Sequence, residues 1–198
     1  MKKININIPI SKLFLLILIT ICLSINTNAQ NSKEINYSYA GNFKALLNVP
    51  EKKGKLPVII YVYDEFYDWA TDRGSKHAKY DLDLISERFE EWGFISLIPI
   101  NKYRKLRSIK GAIKYITKHP KADLNNIHII GVSEGAFLSL LALENIKEVS
   151  SLTMIIPKSP SFTGKLSFPE VLRIVNRINI PILQIDNESS KSISHKDQ

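Results

Sequence analysis

The chain holds one cysteine, Cys22, and none from residue 23 onward. A chain without thiols beyond that point builds no disulfide, no thiolate metal site and no cysteine nucleophile, whatever the redox state of its compartment. It also lacks an apolar run of the roughly 20 residues that cross a bilayer; residues 13–23 are the longest and fall well short. The net charge of +8 is not gathered into a basic patch interleaved with aromatics, and three of its lysines lie before residue 13, so nucleic-acid binding has no footing. Repeats and low-complexity tracts are absent. With 198 residues, 44% hydrophobic and 23% charged, the composition is that of one globular domain with a real core.

What is present begins with a leader. Met1-Lys2-Lys3 and Lys12 precede the apolar residues 13–23, and Thr27 and Ala29 occupy the minus-three and minus-one positions of a cleavage after Ala29. This layout predicts a signal peptide over residues 1–29, export to the periplasm or medium, no stable membrane insertion, and a single domain over residues 30–198. Cys22 follows Ile21, where a lipoprotein signal carries a small residue, so lipid attachment is not expected.

Strand and helix patterns then alternate. Residues 36–39 and 43–49 flank Gly41-Asn42 as an amino-terminal β segment, and residues 50–54 form a turn. Residues 57–63 and 94–100 are short apolar runs, the signature of strands covered on both faces. Between them Leu82, Ile85, Phe89 and Trp92 recur at helical spacing up to Gly93. Ser108 reads as the N-cap of a helix striped by Ile109, Ala112, Ile113 and Ile116 and stopped at Pro120, with His119 as a charge in its last turn. Residues 151–156 and 180–185 are further strands, joined by a loop over residues 159–169 and a short helix over residues 170–178. The alternation predicts a doubly wound, mostly parallel α/β sheet.

The most informative stretch is residues 127–140. A β-branched run, 127–130, stops at Gly131-Val132-Ser133-Glu134-Gly135, and an apolar helix-forming run follows. Strand, sharp turn and helix around Gly-x-Ser-x-Gly would place a serine hydroxyl on a strained elbow at the carboxyl end of a strand, where ligands bind on such sheets. The next N–H, that of Glu134, would face a developing oxyanion. Ser133 is therefore the candidate nucleophile.

Taken together, residues 56–63, 92–99, 127–136 and 180–185 resemble an α/β-hydrolase, nearest in size and order to dienelactone hydrolases and small esterases. The resemblance implies hydrolysis of a small-molecule carboxylic ester by acyl transfer, with no metal or organic cofactor. It implies a second oxyanion donor just after the first parallel strand, where this chain has Tyr63-Asp64-Glu65, so the backbone of Glu65 takes that role. It implies an acid after residues 180–185: Asp186 and Glu188 are the nearest carboxylates, and Glu188, on the loop, is preferred. It implies a histidine after the acid, which is His195; His77, in a polar loop, is second to it. Phe66, Tyr67, Trp69 and the loop over residues 159–169 should border the site. The family's last strand and its usual histidine are expected to be missing, a C-terminally shortened domain. That gives the alternative reading, a non-catalytic or truncated α/β-hydrolase-like binding protein. It also leaves residues 180–185 as an apolar sheet edge expected to form a homodimer or to aggregate.

Overall fold

The computed structural model describes residues 32–70, 74, 80–158 and 168–186. Residues 1–31, which include the expected signal peptide, together with His77, most of the loop over residues 159–169, Glu188 and His195 lie outside them.

The two middle strands explain the sheet. In β3 (Leu56–Val62) side chains point alternately to opposite faces. Val58, Ile60 and Val62 enter one hydrophobic cluster, while Ile59, Tyr61 and the following Tyr63 enter another. A strand that feeds two cores has no polar face to show, which is why it reads as an unbroken apolar run. Its neighbour β5 (Ala122–Val132) buries Ile127 and Ile129 completely. Around them the sheet runs β1-β2-β4-β3-β5-β6-β7. β1 (Lys33–Ser38) and β2 (Asn42–Asn48) form an antiparallel hairpin, and β2 is antiparallel to β4 (Ile95–Pro99). From β4 through β3, β5, β6 (Ser151–Ile155) and β7 (Ile182–Ile185) every pairing is parallel. This is the doubly wound, mostly parallel sheet expected from the pattern.

Helices cover both faces. α1 (Phe66–Trp69) is a single turn after β3. α2 (Leu82–Glu91) starts at Asp81, whose carboxylate accepts from the N–H groups of Asp83 and Leu84, and it packs Leu82 and Phe89 into the cluster with Tyr61 and Tyr63. α3 (Lys105–Ile116), α4 (Glu134–Ala142) and α5 (Phe168–Val175) cover the other face, contributing Ile113, Leu138 and Ile174 to the larger cluster. β7 is the outermost described strand, and Ile182, Leu183 and Ile185 are exposed on it.

One boundary differs from the sequence reading. α3 starts a turn before Ser108, at Lys105, with Arg104 in the left-handed region at φ 57° as its cap residue. Ser108 is buried inside the helix because its hydroxyl lies 2.6 Å from that of Tyr37 and accepts from Asn101 Nδ2 at 2.9 Å. Burial pushes the Tyr37 phenol up to about 12, so it stays a neutral partner. The serine serves a tertiary contact, and the extra turn it concedes carries Lys105 toward the carboxyl ends of the strands.

Between α2 and β4, Ser86 and Ser96 are fully buried with their hydroxyls 2.7 Å apart. Ser86→Ala is expected to cost about 1–3 kcal/mol because Ser96 loses its partner in an apolar setting, whereas replacing both should cost less than the sum of the single changes. Urea denaturation of the three variants checks this, and strict additivity would refute it.

Candidate active site

Between the last residue of β5 and the first of α4 stands Ser133 alone, at φ 53° and ψ −117°. A non-glycine residue there stores about 1–3 kcal/mol, tolerated only where the surroundings fix it. They do so through its backbone: the N–H donates to Ile155 O at 2.8 Å, and its carbonyl accepts from Ala136, Phe137 and Lys158 at 3.2, 3.4 and 3.1 Å. The flanking glycines let the segments close up. A Cβ on Gly131 would sit 2.4 Å from Ala136 Cα, and one on Gly135 would sit 2.3 Å from Val62 O. The start of α4 thus rests against the ends of both β5 and β3.

The register gathers the neighbouring segments. Val62 pairs with Gly131, Val132 with Ile155, and Ile155 with Ile185. Hence Tyr63 to Glu65, Ser133, Ile156 to Lys158 and Asp186 all leave the sheet at one edge, the carboxyl ends of its parallel strands. A cleft of about 840 Å³ opens there, lined by Glu65, Asp68 and Trp69 on the α1 side, by residues 102–107, and by Glu134. Of the aromatics expected at the rim, Trp69 lines the cleft with Lys102 Nζ 4.5 Å above its ring. Tyr67 instead stacks between Tyr63 and Tyr80 and holds the loop to the sheet.

Among the described residues the N–H groups of Glu65 and Glu134 donate to no protein acceptor. The carboxylates around them are each engaged. Asp64 Oδ1 accepts from the Phe66 N–H at 3.1 Å, and Glu65 faces Lys158 with Oε1 and Nζ 3.8 Å apart. Glu134 and Asp68, both nearly buried, share Lys105: Nζ donates to Glu134 Oε2 at 2.9 Å and also bonds Asp68. Tyr63 donates its hydroxyl to Asp68 Oδ1 at 3.1 Å, and its ring lies 5.3 Å from the lysine nitrogen. Burial alone would lower the Lys105 pKa, but the hydrogen bonds and charges of the two carboxylates outweigh it and leave the pKa raised. A lysine acting as a general base needs the opposite shift, so Lys105 is a fixed cation. Burial also pushes the Tyr63 phenol up, with the Asp68 charge adding to it, which keeps it a donor.

Among the other sequence candidates, Asp186 follows β7 as an exposed carboxylate accepting from Gln184 Nε2 at 2.8 Å. The remaining described histidines are at the far edge of the sheet. His128 lies five residues before Ser133, about 16 Å along an extended strand, with Nδ1 2.8 Å from Ser151 Oγ. His119 follows α3, and burial together with Lys121 and Lys55 holds its pKa below the usual value, so it does not serve as the helix-end charge that the sequence suggested. Asp68 and Lys105 were missed by sequence reasoning. The available signal was Glu134 itself, an acid at the head of an otherwise apolar helix, which demands a buried cation.

No family model and no curated relative matches the chain. Solved structures do. A Klebsiella pneumoniae protein assigned as a dienelactone hydrolase aligns with a TM-score of 0.59 at 16% identity over 82% of this chain and 78% of that one. A bacterial heroin esterase aligns with a TM-score of 0.52 at 15% identity over 92% and 63%. DcsB, solved with its substrate analogue, aligns with a TM-score of 0.50 at 18% identity over 64% and 45%. The chain thus spans about half the length of DcsB and of a Pseudomonas aeruginosa hypothetical protein that it also matches, at 45% and 49%. At these identities the likeness is one of fold, and that fold is the α/β-hydrolase fold.

Proposed function

We propose that the protein is a serine hydrolase of carboxylic esters that works by acyl transfer through Ser133. The observation that carries this reading is the strained turn at Ser133, held by backbone bonds and by two glycines at the carboxyl ends of the strands, next to Glu134, which lines the cleft and whose N–H, like that of Glu65, has no protein acceptor among the described residues. Strain of this kind belongs where a side chain must be presented to a ligand, and a structural turn could relieve it with glycine.

In this mechanism the Ser133 Oγ attacks the acyl carbon while His195, oriented by Glu188, takes its proton. The carbonyl oxygen gathers the negative charge and is held by the N–H groups of Glu134 and Glu65. Collapse of the tetrahedral intermediate expels the alcohol, which receives the proton from the imidazolium. Water, activated by the same imidazole, then attacks the acyl-serine and releases the acid. The positive end of α4 favours the oxyanion at Glu134. The acidic side chains near both donors do not oppose it freely, since Lys105 and Lys158 face them.

A fluorophosphonate probe reads the nucleophile directly, because it phosphonylates a serine only when that serine is activated. Labelling of the wild type and its loss in Ser133→Ala are the expected results. Equal labelling of the two proteins, or none of the wild type, refutes the proposal.

A further inference from the structure

The two proposed oxyanion donors sit on separate pieces of chain. Glu134 opens α4, which is fixed by Gly135 against β3 and by Ser133 against β6. Glu65 leads into α1, a single turn with no buried residue, whose Phe66 and Trp69 are 48% and 74% exposed. Its apolar anchor is Tyr67, packed between Tyr63 and Tyr80 on the face of β3 away from α4. Its firmest link to the elbow is ionic: Asp68 of α1 and Glu134 of α4 both bond the ammonium of Lys105, and all three side chains are less than a tenth exposed. The only other ionic link among the described residues, Glu65 with Lys158, is longer and involves a largely exposed lysine.

We infer that Lys105 is a positioning residue for the oxyanion site: by bridging Asp68 and Glu134 it sets the distance between the Glu65 and Glu134 N–H groups and neutralises the carboxylates beside them. This rests on the hydrolase reading. Lys105 reaches no reacting atom in this account; it acts through the two backbone donors. Its loss would loosen the link between α1 and α4 and leave two buried carboxylates facing each other next to a developing anion. Both effects weigh on the charged transition state more than on a neutral ester in the ground state, so the loss should appear in kcat and not in KM.

The test uses the full chain with 4-nitrophenyl acetate and the fluorophosphonate probe, comparing wild type, Lys105→Met, Asp68→Asn and the double variant. Circular dichroism melts establish that each is folded at the assay temperature. Lys105→Met is expected to lower kcat about 100-fold, the scale of one misplaced oxyanion donor, with KM within about threefold. Asp68→Asn should lower kcat about tenfold, and the double variant should be no worse than Lys105→Met, because the groups act as one unit. A folded Lys105→Met with wild-type kcat, a change confined to KM, or single effects that multiply in the double variant would overturn the inference while leaving the hydrolase reading intact. If Lys105→Met does not fold, Asp68→Asn decides: a lower kcat at constant KM supports the inference and a wild-type kcat overturns it. Wild-type protein that neither hydrolyses the ester nor takes the probe overturns the hydrolase reading and this inference with it.

Discussion

Alanine at His195 is expected to lower kcat on 4-nitrophenyl acetate by roughly 10⁴- to 10⁶-fold, the same loss as alanine at Ser133. A serine hydroxyl is a poor nucleophile until a base takes its proton, so nucleophile and base fail together and the double variant should retain the same residual rate as either single one. That residue of catalysis comes from the oxyanion donors, which neither change touches. Glu188→Gln should cost less, roughly 10⁴-fold, since it misorients the imidazole without removing it. Progress curves at saturating ester, with folded protein quantified by absorbance and circular dichroism, measure all four variants. The choice of His195 and Glu188 is what the family resemblance implies for the residues after β7; the described histidines, His119 and His128, are both at the opposite edge of the sheet from Ser133. If His195→Ala keeps the wild-type rate while Ser133→Ala loses it, His77 becomes the base to test. If neither change affects a measurable rate, the ester is turned over elsewhere, and the non-catalytic binding reading takes precedence.

The contrast between Gly-x-Ser-x-Gly and the Lys105 cluster shows what a sequence carries. The elbow is local: five consecutive residues between a strand pattern and a helix pattern determine the turn, and the glycines are required by contacts within the same strand-turn-helix unit and the adjoining strand. The sheet was legible for a related reason, since β3 with cores on both faces must be apolar throughout. The ion cluster is the opposite case. Asp68 and Lys105 come from different connections, and each looks like a solvated charge until the fold brings them under the elbow. Lys105 was further hidden by Ser108, whose hydroxyl satisfies the usual rule for a helix cap but is taken by Tyr37 and Asn101 across the fold. The lysine partners of the acids near the oxyanion donors have no local signature either, because they depend on side-chain directions that only the fold sets.

Gly135→Ala tests whether the elbow's geometry is imposed by packing. Alanine is the better helix former by about 1 kcal/mol, so on propensity alone the change should stabilise α4. The added Cβ would, however, lie 2.3 Å from Val62 O and 2.6 Å from Tyr63 O. These atoms are backbone of the strand clamped between β4 and β5, and they cannot rotate away as a side chain would. Overlap of this kind costs more than ordinary overpacking, about 3 kcal/mol or more after the propensity gain, or a fall in Tm of roughly 6–12 °C for a domain of this size. Gly54→Ala is the matched control: its Cβ meets nothing within 4 Å, and only its φ of 87° opposes a side chain, for about 1 kcal/mol. Calorimetry on the two variants separates packing from conformation. The functional consequence follows from connectivity, because α4 can escape the clash only by moving off β3, and Ser133 and the Glu134 N–H move with it. Phosphonate labelling should therefore drop sharply in Gly135→Ala at a temperature where the protein is still folded, and remain at the wild-type level in Gly54→Ala. A Gly135→Ala protein that melts and labels like the wild type would mean that the start of α4 can withdraw from β3 without disturbing the nucleophile, and that the close approach at Gly135 is not what sets the elbow.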